Sequence, residues 1–284
     1  MDFKNYLVPG KTGLLIGIGG VSMSPLAEVL HDAGLDIRGS DMAESSNTLT
    51  LREHGIPIHI GHSADNVTDD ISFVIRTAAV HDDNPEVHEA HRRGIPVFER
   101  TQAWGALMRG YQNALCISGT HGKTTTTSMC THIMMAAEKD PTVMIGGTLP
   151  LLKACHRVGK GNTIIMESCE YYNSFLALNP TIAVVLNIEA DHLDFFKDLE
   201  DIKHSFRCFA ERVPAETGTV IANYDDANTM DALRGIARKV ITFGLNAKAD
   251  VYAQNIVHRG SVSEFDIYHR GNYFARVTLH VPGI

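Results

Sequence analysis

Between Ser118 and Thr127 the chain reads Ser-Gly-Thr-His-Gly-Lys-Thr-Thr-Thr-Thr, a run suited to cradling phosphate. Gly119 and Gly122 would let the backbone approach an anion closely. A helix opening just after them would turn its unpaired N–H groups toward the same place. Lys123 would reach the outer phosphates of a nucleoside triphosphate, and the Thr124 hydroxyl would sit on Mg²⁺. The common P-loop spacing would put a glycine where Ile117 stands, so this loop, Gly119-Thr120-His121-Gly122-Lys123-Thr124-Thr125, is a shorter variant with a histidine inside it.

Two further stretches carry groups that belong with such a loop. Thr163-Ile164-Ile165-Met166 reads as an apolar strand that ends in Glu167 and Glu170. Ile182 to Leu186 reads as a second, ending in Asn187, Glu189, Asp191 and His192. Parallel strands present their carboxyl ends along one edge of a sheet, so Lys123, Glu167, Glu170, Asp191 and His192 are expected to converge on one crevice. One or two carboxylates with triphosphate oxygens and waters satisfy Mg²⁺. Lys123 and the metal would offset the charge that gathers on a transferring phosphoryl group. A single acidic residue at a strand end is more often a solvated loop residue; the constellation is what points to chemistry. His192 is a soft partner for Mg²⁺, and a supporting position behind the metal ligands suits it as well. A motor-type P-loop ATPase is disfavoured, since no apolar run ending in the usual aspartate accompanies the loop.

These residues need a scaffold. Ala114 to Ile117 leads into the loop like a buried strand, and Thr125 to Ala137 leads out like a helix. Upstream, Leu14 to Ser24 reads as a strand running into a glycine turn, with Gly17 and Gly19 as the first two glycines of a dinucleotide fingerprint and Ser22 at its third position. A helix with Leu26, Ala27, Val29 and Leu30 on one face follows, then a strand from Ile37 to Asp41. Asp41 lies where an acidic group meets a ribose hydroxyl. Ile71 to Ile75 and Ile95 to Phe98 read as strands, Asn84 to Arg93 and Thr101 to Arg109 as helices, and Thr77-Ala78-Ala79-Val80 as the loop after a strand. Strands alternating with helices predict a doubly wound parallel sheet. An NAD-binding domain of a dehydrogenase is the competing reading of this half, but it leaves the loop at 119–125 without a purpose.

The expected fold class is α/β. A Rossmann-like domain over residues 1–110 is followed by a P-loop, nucleotide-binding α/β domain over residues 111–284. In the latter, Val143 to Ile145, Thr219 to Ala222 and Val240 to Phe243 read as strands, and Leu199 to Ala210 and Asp226 to Arg234 as helices. From Val251 on, alternating apolar and polar residues in three runs (251–257, 263–268 and 273–281) predict a late antiparallel meander.

Composition narrows the class further. The 284 residues are 44% hydrophobic and 20% charged, as in ordinary globular proteins. A net charge of −8 argues against nonspecific nucleic-acid binding, though local loops can still bind a nucleotide. No apolar run approaches a membrane span, and the start lacks a secretory apolar core. Five cysteines with no Cys-x-x-Cys pair suit a reducing cytoplasm. Of fifteen histidines, His54, His59, His62, His81, His88 and His91 stand among polar neighbours and are expected at the surface.

The loop with its internal histidine resembles the ATP site of the Mur ligase family. So does Gly17-Ile18-Gly19-Gly20-Val21-Ser22-Met23-Ser24-Pro25-Leu26-Ala27, which looks like that family's opening motif, and so do Glu167-x-x-Glu170 with Asn173-Ser174-Phe175-Leu176 and Asn187 to His192. The resemblance implies an ATP- and Mg²⁺-dependent ligase of peptidoglycan synthesis that joins L-alanine to UDP-N-acetylmuramate through an acyl phosphate, or one that reattaches a recycled peptide. It implies that Gly19, Gly20, Ser22, Met23, Ser24, Asp41, Thr77 and His121 meet the UDP-sugar. It implies that Lys123, Glu167 and His192 are catalytic, and that Thr124, Glu167 and His192 bind or support the metal. Relatives elsewhere in the family use a carbamylated lysine; Lys203 is the nearest candidate, but its spacing from His192 looks wrong, and it is expected to be a surface lysine. In the family a proline-glycine pair such as Pro282-Gly283 precedes adenine contacts and a third, lid-like domain. The chain as given is therefore expected to turn over poorly, or to act as a nucleotide-binding module. Oligomeric state is not legible.

Overall fold

The computed structural model describes residues 2–77 and 79–281. Ala78 and the Pro282-Gly283 pair lie outside the described residues. The chain divides into two compact units. Unit 1 gathers residues 1–114, 128–166 and 177–179, and unit 2 gathers 115–127, 167–176 and 180–284.

Unit 1 begins with strand β1 (Thr12–Ile16), helix α1 (Ser24–Asp32), β2 (Asp36–Asp41), α2 (Ser46–Glu53), β3 (Ile58–Ile60), β4 (Ile71–Arg76), α3 (Pro85–Arg92), β5 (Val97–Glu99) and α4 (Arg100–Met108). The five strands form a parallel sheet in the order β3-β2-β1-β4-β5. β1 is buried along its whole length, as a central strand covered on both faces must be. Leu14, Ile16, Ile71, Val74, Val87 and Ala90 pack together between sheet and helix. Each helix starts on a recognisable signal: Pro25 at the start of α1, a reciprocal Ser45–Thr48 capping box at α2, and Asn84 capping α3 ahead of Pro85.

The chain continues through β6 (Asn113–Ser118), α5 (Lys123–Ala136), β7 (Thr142–Leu149), β8 (Ala154–Arg157), β9 (Thr163–Glu167), β10 (Ile182–Val185), α6 (Leu199–Ala210), β11 (Thr219–Asn223), α7 (Ala227–Ala232), β12 (Lys239–Gly244), β13 (Val251–Arg259), β14 (Val262–His269) and β15 (Asn272–Leu279). Within unit 1, β7 runs parallel to β9 and antiparallel to β8. Within unit 2, β6, β10, β11, β12 and β13 pair in parallel in that order. β14 and β15 then add antiparallel, completing the meander expected from the alternating sequence.

The α/β class, the parallel sheet and the late antiparallel strands agree with the sequence. α2, β3 and β8 were not anticipated, and β7 is longer than the expected Val143–Ile145. α2 buries only Thr48 and Leu51, too thin an apolar face to stand out, and β3 is three residues long. Lys203 is a correction. Its side chain is 11% exposed and lies between Glu200 (2.7 Å) and Asp231 (3.1 Å). Hydrogen bonds to Glu200 and then Asp231 hold its ammonium above the usual lysine range. It is a structural ion-pair centre joining α6 to α7 rather than a surface lysine.

Candidate functional site

In unit 2, β6 ends at Ser118, and the chain turns through Gly119 to Gly122 into α5. Gly119 has φ +145°, and a Cβ there would come within 2.9 Å of Leu186 Cβ and 3.2 Å of the Asn187 nitrogen. Only glycine fits where the loop presses on the segment after β10. That segment clasps the loop. The Thr120 N–H donates to the Asn187 carbonyl (3.1 Å) and the His121 N–H to Asn187 Oδ1 (2.8 Å). Asn187 Nδ2 donates back to the His121 carbonyl (3.1 Å), and the Glu189 N–H donates to Thr120 Oγ1 (2.9 Å). The loop's shape is thus set before any ligand arrives, and the first turn of α5 is aimed at whatever sits above it.

Lys123 opens that turn. Its Nζ donates to the carbonyls of Gly119 (2.6 Å) and Thr120 (3.2 Å) and to Glu170 (3.0 and 3.2 Å). Thr124 Oγ1 donates to Glu167 Oε1 at 2.9 Å. His192 Nε2 lies 4.0 Å from Glu170 Oε1 and 4.0 Å from Asp191 Oδ2. The expected convergence of Lys123, Glu167, Glu170 and His192 is therefore present, with a division of labour: Glu170, with its side chain 2% exposed, is the carboxylate between Lys123 and His192, while Glu167 faces Thr124. Asp191 reaches only its neighbour His192 among these groups. His121 Nε2 approaches Glu189 at 3.6 Å, both side chains open to solvent.

His192 takes a left-handed backbone conformation (φ +52°), as do Tyr172 and Asn173, an arrangement that side chains other than glycine adopt at a cost. The Tyr171 ring stacks on His192, with centroids 4.4 Å apart, and the Tyr171 hydroxyl donates to Asp194 Oδ2. That bond, and the neighbouring Tyr172, hold the phenol above its ordinary range. Tyr171 and Asp194 were not legible as site residues. Cys169, between the two glutamates, is exposed, and partial desolvation by the surrounding protein, with Glu170 and Glu167, pushes its thiol up.

The donor set suits Mg²⁺. The Thr124 hydroxyl and Glu167 carboxylate are hard oxygens already 2.9 Å apart, with Glu170 close behind at Lys123. Among the described residues no group of three His, Cys, Asp or Glu side chains is arranged to hold a metal ion unaided. An ion there would complete its shell with phosphate oxygens and water, as Mg²⁺ does.

Unit 1 carries a separate cavity of about 680 Å³ at the carboxyl ends of its sheet, a size that suits a nucleotide. Gly17, Gly19, Gly20, Asp41 and Thr77 line it. Asp41 Oδ2 accepts from the Gly19 N–H (2.8 Å), and Asn47 Nδ2 donates to the Gly19 carbonyl (2.8 Å), so the end of β2 and the start of α2 fix the glycine turn. Ser22, Met23 and Ser24 do not line the cavity: Met23 and Ser24 are buried at the head of α1, and the Ser22 carbonyl accepts from Trp104 Nε1 (3.3 Å). His62 does line it, with its side chain only 12% exposed, which corrects its assignment to the surface. His54, His59, His81, His88 and His91 are exposed as expected.

Two family descriptions match the chain: the Mur ligase middle domain over residues 117–284, and the Mur ligase family catalytic domain over residues 15–112. A UDP-N-acetylmuramate–L-alanine ligase of Agathobacter rectalis is 45% identical over 269 residues, covering 94% of this chain and 58% of that protein. A ligase of the same name from Clostridium novyi is 44% identical over 283 residues, covering 100% of this chain and 61% of that one. The crystal structure of a UDP-N-acetylmuramate-alanine ligase from Thermotoga maritima superposes with a TM-score of 0.77 at 29% identity, covering 96% of this chain and 61% of that one. A UDP-N-acetylmuramate:L-alanyl-gamma-D-glutamyl-meso-diaminopimelate ligase from Neisseria meningitides shares the fold (TM-score 0.83, 24% identity, covering 96% and 89%). The chain spans about three-fifths of the length of these curated relatives.

Proposed function

Because the chain belongs to the Mur ligase family, we propose that it carries the UDP-sugar-binding and ATP-binding parts of a cytoplasmic UDP-N-acetylmuramate–L-alanine ligase. Residues 1–110 are assigned to the UDP-sugar and residues 111–284 to ATP. In the reaction, the lactyl carboxylate oxygen of UDP-N-acetylmuramate attacks the γ-phosphorus of ATP and ADP leaves. The alanine amine then attacks the acyl carbon, its proton is lost, and phosphate departs with the former carboxylate oxygen. A carboxylate is a poor electrophile, and phosphorylation supplies its leaving group.

What the protein must do is position the reactants and screen charge. Lys123 is assigned to the β- and γ-phosphates, exchanging its present contacts with Glu170 and the loop carbonyls for phosphate oxygens. Gly119, Thr120, Gly122 and Thr125 frame those phosphates, and His121, exposed on the loop, orients phosphate or the substrate carboxylate. Thr124 and Glu167 would hold Mg²⁺, with Glu170 and His192 behind them. When bound, the ion would neutralise phosphate charge. In the other half, Gly19 and Gly20 are assigned to the diphosphate, with Asp41 beside the nucleoside and the Thr77 loop on the other side of the glycine turn. The observation that carries this reading is the joint placement of Lys123, Thr124, Glu167 and Glu170 at the loop, supported by 45% identity to a curated ligase of this activity.

Calorimetric titration tests it. UDP-N-acetylmuramate and ATP are expected to bind, each at its own site, and UDP-N-acetylglucosamine and NAD to bind poorly. Binding of NAD in preference to any uridine nucleotide would overturn the reading.

A further inference from the structure

Glu86 is a carboxylate with no exposed surface, set in the first turn of α3. Three donors converge on it: Ser40 Oγ from β2 (2.7 Å), Asn66 Nδ2 (2.6 Å), and the His62 ring through Nδ1 (2.8 Å). Ser40 Oγ also lies 3.2 Å from His62 Nδ1. A buried carboxylate is costly unless charge and hydrogen bonds compensate it, and here both oxygens are met. Nothing in the chemistry assigned above uses this group.

The arrangement constrains His62. With Glu86 as acceptor, the ring's Nδ1–H is the donor of this bond, and the ring's other edge, with Nε2, is left for the cavity it lines. Among the described residues, the lining contains Asp41, Glu44 and Asp83 and no lysine or arginine, and the ring nitrogens it offers a ligand are those of His62 and His81. His62 is the anchored imidazole, since the other lining histidine, His81, is exposed.

Topology says which part of a nucleotide His62 meets. The glycine turn follows β1, whereas His62 follows β3, which lies beyond β2 from β1. Two strand spacings separate them, roughly 10 Å. With a diphosphate at the glycine turn, a nucleoside that lies along the Asp41–Ser45 side of the cavity comes within reach of His62.

We propose that Glu86 is a positioning residue for nucleotide binding, acting through His62: the buried carboxylate fixes the ring so that Nε2 contacts the uridine portion of the ligand. This deepens the proposed function and rests on it. The expectation is specific. Glu86→Gln, nearly isosteric, and His62→Phe should each weaken UDP binding about tenfold, a factor one good hydrogen bond supplies. The double variant should bind no worse than His62→Phe, because Glu86 matters only through the ring.

The experiment is calorimetry with UDP and with UMP on the wild-type chain and the three variants, joined to ¹⁵N NMR of the His62 ring. In the free wild type Nδ1 should be protonated, and saturation with UDP or UMP should move the Nε2 resonance. Losses that simply add in the double variant, or equal affinity across all four chains, would overturn the proposal. If Glu86→Gln fails to fold, the wild-type spectrum decides: an Nε2 resonance unmoved by saturating UDP also overturns it. A wild type that binds neither UDP nor UMP removes the uridine-nucleotide reading itself, whereas a wild type that binds while the ring stays indifferent removes only this role.

Discussion

The Lys123 ammonium stands 3.0 Å from Glu170 Oε2, and the glutamate side chain is 2% exposed. The buried carboxylate is thus balanced by the same cation that the proposed chemistry sends to ATP. Lys123→Ala leaves a buried carboxylate unpaired and should cost about 3–5 kcal/mol of unfolding free energy. The double variant with Glu170→Gln should recover most of that loss. Urea unfolding of both variants checks it, and equal stability of the single and double variants would show that the pair does not carry this charge balance.

Lys123→Ala should also abolish ATP binding while leaving UDP binding near the wild-type value, because the two ligands are assigned to different parts of the chain. Calorimetry with each nucleotide reads the difference. Parallel loss of both affinities would sink the assignment.

Gly119→Ala should damage the loop from two directions. Its φ of +145° strains any other residue, and the added carbon would sit 2.9 Å from Leu186 Cβ. Backbone strain of this kind costs on the order of 1–3 kcal/mol, and the loop can relieve the clash only by moving off Asn187. A lower thermal midpoint together with at least tenfold weaker ATP binding is the expected result; unchanged ATP affinity would count against the loop's assignment.

On α3, Arg92 and Arg93 both donate to Glu89 and hold its carboxyl at about 2, below its ordinary value of 4.5. A depressed folded-state pKa stabilises above the unfolded value. The contribution is therefore fully present above about pH 5, and it is lost as pH falls through 4.5 toward 2. Thermal midpoints measured across that window should fall more steeply for wild type than for Glu89→Gln, and coincident slopes would contradict the pairing.

Burial pushes the Cys116 thiol up to about 12. Within β6 it should stay protonated and unmodified by iodoacetamide at pH 8 until the chain unfolds. Cys169, at an exposed position, should be alkylated earlier in the folded protein. Mass spectrometry of peptides after brief labelling distinguishes the two, and early modification of Cys116 would be the adverse outcome.

The loop from Gly119 to Thr125 could be read from sequence because its chemistry is contiguous: glycines, lysine and threonine must follow one another. The meander was legible because β14 and β15 alternate in a period of two. Other relationships were not. Glu167 and Glu170 are equally good candidates on paper; only the path of the chain through Ser168 and Cys169 decides which one meets Lys123. His62 looked like one more polar histidine, and its partner Glu86 lies on another element after an intervening strand. Lys203 looked exposed because its cationic head is matched by Asp231 from α7, a pairing across helices that no local pattern encodes. Tyr171 gave no signal as a clasp on His192, since ring stacking follows from tertiary placement.

Strand order in unit 2 has a kinetic consequence. Leu115 of β6 pairs with Ile182 of β10, so that parallel pairing must wait for a long intervening segment to be ordered or looped out. β13, β14 and β15 need only short turns to meet, and hairpins of that kind form within microseconds, on the order of 1–10 μs. During refolding the meander should gain amide-exchange protection first and the phosphate loop late, because Gly119 and Asn187 cannot meet until β6 and β10 lie side by side. The part of the chain richest in chemistry is therefore among the last to take shape.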